Sequence, residues 1–288
     1  MYFPFLMARG VEKNVIVNTI ANRRLENVVP VITPYLGLGE SLASNTNYIA
    51  IAEALVENEK RFITICRPNE AAELREKISN FDNFCIYGLY ATDIDGLSQG
   101  YNFALIHDFP SPTTIDRDNI TYHLFLPSAL ASFSYLEKFP HYKRVAIENA
   151  FSAQNRNADY PFESFFSSLF SIFRERFVGF GDYTVQSMDF EPASGSNMTF
   201  VSPAIHLSYV RDSSVFVRHY ITTPAESPDF NTRVRFSMSK ALMDKNIFFY
   251  SAGIRELEAK AALGATNLAK LKEIGMQHHI ELMNNLIN

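Results

Sequence analysis

YKRVAIENAF (Tyr142–Phe151), SAQNRNADYP (Ser152–Pro161), a phenylalanine-rich run from Phe162 to Phe173 and FVGFGDYT (Phe177–Thr184) form the stretch on which the fold turns. Val145, Ala146 and Ile147 make the short apolar run of a strand buried on both faces, and Glu148 and Asn149 close it. Phe162, Phe165, Phe166, Leu169, Phe170 and Phe173 recur at the spacing of one helical face, so this run is expected to be a helix with its stripe in the core. Asp159, two residues before Pro161, is placed to cap it. Phe177 to Tyr183 then reads as a second, glycine-rich strand. Strand, polar loop, helix and strand in that order make a βαβ unit whose polar residues gather where strands end, the side on which α/β folds keep their ligands.

Outward from this unit the pattern repeats. Strands are expected at Tyr2–Met7, Val28–Ile32, Phe62–Cys66, Phe84–Tyr90, Phe103–Ile106 and Thr121–Leu126, with Val145–Ile147 seventh and Phe177–Tyr183 eighth. Between them fall helices at Val11–Arg24, at Tyr48–Leu55 with Ser44 as cap, and at Glu70–Ile78. Eight strands at this cadence predict an α/β fold, a (β/α)8 TIM-barrel-like single domain over residues 1–288. An open doubly wound sheet is the alternative, because helices are weakly signalled between the fourth and sixth strands. Residues 1–184 carry the core units. Residues 185–225 carry a serine-rich loop around Gly195 and an inserted β-hairpin, Ala204–Tyr209 with Ser214–Ile221, turning at Arg211-Asp212. Residues 226–288 are expected to be helical, with a bend near Gly275.

The chain has 47% hydrophobic and 20% charged residues, enough apolar material for a sizeable core. A net charge of −5 argues against a broad nucleic-acid-binding surface. Cys66 and Cys85 are too few for a disulfide framework or a thiolate zinc site, and they read as buried free thiols of a cytoplasmic protein. No run is long enough to cross a bilayer.

Asp93-Ile94-Asp95-Gly96 begins like a calcium loop, but the glycine comes too early and no glutamate closes the frame, so it reads as a turn. His278 and His279 are adjacent and diverge by about 100° on a helix, so they cannot grip one ion together. A distributed set remains: Arg9, Arg67, Asp93, Asp108, Glu148 and Asp182 all fall at or just beyond strand ends. Carboxylates and arginines on one rim could hold a divalent ion, Mg²⁺ or Mn²⁺, and a phosphate. Arg156 reads either as a clamp for a phosphate or carboxylate, or as half of a loop ion pair with Asp159.

The segments YFPFL…RG, NRNADYP, FGDYT, AIHLSY…VRHY and HHIELM, in that order over nearly the whole chain, resemble the bacterial beta family proteins, named after a phage beta protein. The resemblance covers Arg9, Gly10, Arg156, Asn157, Asp159, Tyr160, Gly181, Asp182, Tyr183, His206, Arg218 and His219. It implies a barrel-like α/β domain, a place in gene clusters of the anti-phage defence or toxin-antitoxin type, and a partner protein encoded by a neighbouring gene. Thr33 and Asn149 stand where similar sequences carry acids, which weakens a two-metal mechanism. Three readings follow. The first is a defence component that binds its partner or a phosphate-bearing ligand, with Arg9, Arg67, Arg156, Asn157 and Tyr160 on the ligand. The second is a metal-assisted phosphodiester or nucleotide hydrolase using Asp182, Asp159 and Glu148 as metal ligands or base, with His206 or His219 carrying protons. The third is a structural or immunity subunit for a neighbouring toxin.

Overall fold

The computed structural model describes residues 1–23, 25–37, 39–93, 97–112, 114–186, 201–264 and 266–288. Arg24, Ile94-Asp95-Gly96 and the loop around Gly195 lie outside the described residues. The chain divides into two compact units. The first comprises Met1–Asn149, Ile172–Asp182 and Ile287–Asn288; the second comprises Ala150–Ser171 and Tyr183–Leu286.

The first unit is a TIM-barrel-like α/β fold. Continuous apolar runs give the strands β1 (Phe5–Met7), β2 (Val31–Thr33), β3 (Phe62–Ile65), β4 (Cys85–Tyr90), β5 (Phe103–His107), β6 (Ile120–Phe125) and β7 (Arg144–Glu148). With β9 (Gly179–Asp182) they pair in parallel and in chain order. The circle is completed ahead of β1. The Phe3 amide donates to the Phe180 carbonyl at 2.8 Å, and the Tyr2 amide donates to the Asn27 carbonyl at 2.7 Å. Gly181 permits this approach, because a Cβ there would collide with the Phe3 carbonyl oxygen.

Helices pack on the outside where the sequence signals them. After β1, α1 (Gly10–Val15) runs on as a π-helical stretch, Ile16–Ala21. In α2 (Thr46–Glu57), Tyr48, Ile51, Ala52 and Leu55 form the buried face, as their spacing predicts. Its cap is Asn45, which accepts from the Tyr48 amide at 2.9 Å, and not Ser44, whose hydroxyl bonds Ser41. The short helices α3 (Ala72–Lys77) and α4 (Phe81–Phe84) follow β3, and α5 (Pro127–Leu130) and α6 (Phe133–Leu136) follow β6. Among the described residues no helix joins β4 to β5 or β5 to β6.

Ladder register sorts side chains into two sets, since paired residues share a face and the pleat alternates. Phe5, Val31, Ile63 and Ile86 lie in one row. It faces the lumen, where the rings of Phe3 and Tyr122 meet edge to face at 5.0 Å. The opposite set faces the helices: Tyr48 of α2 donates to Thr64 at 2.5 Å, and Phe180 packs on Phe173 at 4.9 Å.

The second unit corrects one expectation outright. The phenylalanine run is not a helix with a buried stripe. Glu163–Ser167 is a strand, β8, and only Leu169–Ile172 (α7) is α-helical. Phe162 and Phe165 are 60% and 55% exposed. The expected hairpin is present as β10 (Ala204–Arg211) and β11 (Ser214–Ile221), with β8 antiparallel on the far side of β11. Asp212 and Ser213 both take positive φ, the two-residue turn that matches strand twist.

Helices α8 (Phe230–Met243), α9 (Ala252–Leu263) and α10 (Leu268–Ile287) cover one face of this sheet through Leu207, Tyr220, Met238, Leu257 and Ile274. α10 runs through Gly275 without interruption. Gly275 instead lets the helix backbone reach β10, where a Cβ would stand 2.7 Å from the His206 carbonyl oxygen. Cys66 and Cys85 are buried free thiols. Among the described residues no helix is long and apolar enough to cross a membrane.

Candidate functional site

The strand-end charges of the barrel are engaged within the protein. Arg67, after β3, holds Asp93, after β4, through Nε at 3.0 Å and Nη2 at 2.7–2.8 Å. The Arg9 guanidinium lies 4.2 Å over the Tyr35 ring. Asp108 accepts from the Phe109 amide at 3.1 Å. Glu148 and Asp182 are ladder partners and share the face of Phe180, so their side chains leave the wall on the helix side and not into the lumen. Asp182 is 3% exposed and accepts from the Tyr2 hydroxyl at 2.7 Å. Burial first, and then the Asp182 charge, push the Tyr2 phenol upward, so Tyr2 remains a donor.

Arg156 and Asp159 belong to the second unit and form a bidentate ion pair at 2.9 and 2.7 Å, with the arginine side chain 77% exposed. Asp159 caps no helix, because Pro161 leads into β8. Asn157 donates to the Ser202 carbonyl at 2.8 Å. Among the described residues, no three His, Cys, Asp or Glu side chains stand where they could hold a metal ion. A cavity of ≈ 100 Å³, with Arg61, Cys85, Asn102 and Thr121 in its lining, opens at the opposite end of the strands from the expected rim.

Titratable groups do converge in the second unit. The hairpin register sets His206 opposite His219, and their Nδ1 atoms are 2.7 Å apart. His219 Nε2 lies 2.8 Å from the Ser164 hydroxyl on β8. Tyr160 stacks on the His219 ring at 4.7 Å and 22°, and Phe151 meets His206 edge-on at 5.2 Å. Burial, then repulsion from His219, pushes His206 down to about 3, and burial pushes His219 down to about 4, so both rings are neutral near pH 7.

A charged network occupies the other face of the same sheet. Glu163 accepts from the Tyr209 hydroxyl and pairs with Arg211 at 2.9 Å and Arg218 at 3.5 Å. Arg218 also reaches Asp244 at 2.7 Å. Burial pushes the Glu163 carboxyl up, yet the bonds from Tyr209 and Arg211 hold it below its ordinary value. Arg211 lies 4.0 Å over the Phe216 ring, which meets Phe165 edge-on at 5.7 Å, and Arg218 lies 4.9 Å over Phe162. Arginines stacked on half-exposed aromatic rings have the composition of protein interface anchors.

The barrel unit holds a second histidine pair. Tyr135 bonds His107 Nδ1 at 2.8 Å, His107 Nε2 meets His123 Nδ1 at 3.0 Å, and His123 Nε2 approaches Asp116 at 3.4 Å. Asp116 also takes Lys143 at 2.8 Å, and its carboxyl sits below its ordinary value: burial opposes this, but the Lys143 and His123 bonds outweigh it. An ionised Asp116 can only accept, so the chain runs one way, each histidine donating from Nε2 and accepting at Nδ1. Phe125 and Phe139 close over His107 at 4.6 and 4.8 Å, which marks the pair as core.

Of the residues picked from sequence, the structure unites Tyr160, His206 and His219, pairs Arg156 with Asp159 and Arg67 with Asp93, and sets Glu148 beside Asp182. Ser164, Glu163, Arg211 and Asp244 were missed. Comparison of the chain with family models, curated proteins and solved structures finds no match to any of them.

Proposed function

We propose that this chain is a TIM-barrel-like component of a bacterial anti-phage defence or toxin-antitoxin-like module, acting in the cytoplasm by binding a partner protein encoded by a neighbouring gene. The reading joins the motif resemblance to one observation: Phe162 and Phe165 stand more than half exposed beside the stacked arginines Arg211 and Arg218. Rigid aromatic rings with guanidinium groups fixed over them lose little conformational entropy on docking. The outer edge of the hairpin adds little to the reading, because the His278 ring of α10 bonds the Ser208 carbonyl of β10 at 2.7 Å. A phosphate-bearing ligand ranks lower, since it would have to displace a bidentate carboxylate from Arg67 or Arg156. A metal-assisted hydrolase ranks lower again, because Asp182 and Glu148 leave the lumen side.

The test is co-expression with the tagged product of the adjoining gene. Phe165→Glu and Arg211→Glu should each abolish co-purification while leaving the circular dichroism spectrum unchanged. Retention of the partner by both variants would remove the patch as the binding surface. An immunity role would use the same surface, and it would show as toxicity of the neighbouring gene in this chain's absence.

A further inference from the structure

We propose that Ser164, His219 and His206 form a nucleophilic array that takes acyl groups from small carboxylic esters. The geometry carries this independently of partner binding. Three strands fix three side chains in line: Ser164 on β8, His219 on the central β11, and His206 directly across on β10. The separations are 2.8 Å from Ser164 Oγ to His219 Nε2 and 2.7 Å between the two Nδ1 atoms, both within hydrogen-bond reach. Such a line of hydroxyl, imidazole and orienting acceptor is what serine nucleophiles need on any fold. His219 is 3% exposed while Ser164 is half-buried, so the base is sheltered and the hydroxyl can be reached. The Tyr160 ring against His219 and the Phe151 ring against His206 hold both imidazoles in place.

In the productive tautomer Ser164 donates to His219 Nε2, and His219 Nδ1–H donates to His206 Nδ1. As Ser164 Oγ bonds the ester carbonyl carbon, its proton passes to Nε2. The C–O bond to the alcohol then breaks, and the alcohol leaves with that proton. The acyl group stays on Ser164 until water, deprotonated by the same Nε2, releases the carboxylic acid and restores the serine. No electrons are gained or lost. Burial keeps both rings neutral and the Nε2 lone pair open. His206 is a positioning residue. As a neutral acceptor it supports the imidazolium less than a carboxylate would, so both acylation and deacylation are expected to be slow.

The full-length protein is treated with a fluorophosphonate probe and with p-nitrophenyl acetate, and the adduct is mapped by mass spectrometry. The expected result is one adduct on Ser164, abolished by Ser164→Ala and slowed about a hundredfold by His219→Gln. His206→Gln should shift the pH profile of labelling and not merely its amplitude. If His219→Gln does not fold, Ser164→Cys replaces it: iodoacetamide should alkylate the new thiol with an apparent pKa below about 8.5, the value of a free thiol. Absence of an adduct on Ser164 in the folded parent overturns the proposal, as does equal labelling in a folded His219→Gln, or an unperturbed thiol in Ser164→Cys.

Discussion

At position 181 a methyl group would meet the Phe3 backbone and stand 2.9 Å from Ile147 Cδ1, inside a wall whose strands cannot part without losing their ladder. At position 10, by contrast, nothing lies within 4 Å of the added carbon. Gly181→Ala is therefore expected to lower stability by about 3 kcal/mol or more, since the obstruction is backbone and cannot rotate aside. Gly10→Ala, in the first turn of α1, should change it by less than about 1 kcal/mol, in the stabilising direction. Urea midpoints decide the matter, and two equal midpoints would mean that the seam can spread. Sequence could not separate these glycines. In sequence the FGDYT glycine is only one of two in a glycine-rich strand, because the neighbour that demands it lies at the other end of the barrel's chain. Asp182 was hidden in the same way: its partner, Tyr2, is placed beside it only once the circle closes.

At the scale of elements, the misreading of β8 has a mechanical cause. Its pairing with β11 shifts register at Val215/Phe216, so one extra residue bulges into the strand. The unmatched residue is Phe166, which is buried while Phe162 and Phe165 stand exposed, so rings spaced in sequence like a helical stripe lie on opposite sides of a strand whose alternation is interrupted. The hairpin was legible, and its two-residue turn fixes the register that sets His206 against His219. Moving the expected turn by one residue to Asp212-Ser213 would have predicted that pair. Ser164 was out of reach, because nothing local announces which strand lies beside β11. Helix α10 closes the other edge. His278 donates from Nε2 to the Ser208 carbonyl, and its Nδ1 accepts from Ser251, the cap of α9, at 2.8 Å. His278→Leu removes both bonds and leaves a buried carbonyl without its donor, a loss of about 2–4 kcal/mol. Hydrogen exchange should quicken along β10, and exchange unchanged from the parent would show that the edge is protected by something else.

Across the whole molecule, acid is expected to act early. Burial pushes His107 to about 3, with repulsion from His123 adding to it, and pushes His123, His219 and His278 to about 4. His206 lies at about 3. These folded values fall below the ordinary histidine value near 6.5, so the unfolded chain takes up protons that the folded one refuses. The stability these histidines contribute is then complete above about pH 6.5, falls as pH drops below it, and is fully lost below about pH 3. Each histidine contributes up to about 1.4 kcal/mol per pH unit, so together they amount to several kcal/mol. Tm followed from pH 7.5 to 4 should fall steeply below 6.5, and a flat profile to pH 5 would mean that these rings are hydrated. The cadence of eight strands was legible because buried parallel strands are unbroken apolar runs. The division into two units was not, because Ala150–Ser171 leaves the first unit and the chain re-enters it at Ile172 with no change of composition.

That interleaving bears on how the chain is made. Ribosomes add roughly 5–20 residues per second. The seam at Tyr2 and Phe3 must therefore wait on the order of ten seconds for Phe180 to emerge. The wait of β8 is more hazardous. Phe162, Phe165 and Phe166 leave the ribosome as an aromatic ribbon, and the strand that pairs with them begins only at Ser214. Between those two moments the nascent chain carries an unpaired, sticky edge that no degree of final stability can protect. The period of greatest danger from aggregation is thus set by the order in which segments are synthesised, and chaperones that hold nascent chains would act on this one most at that point.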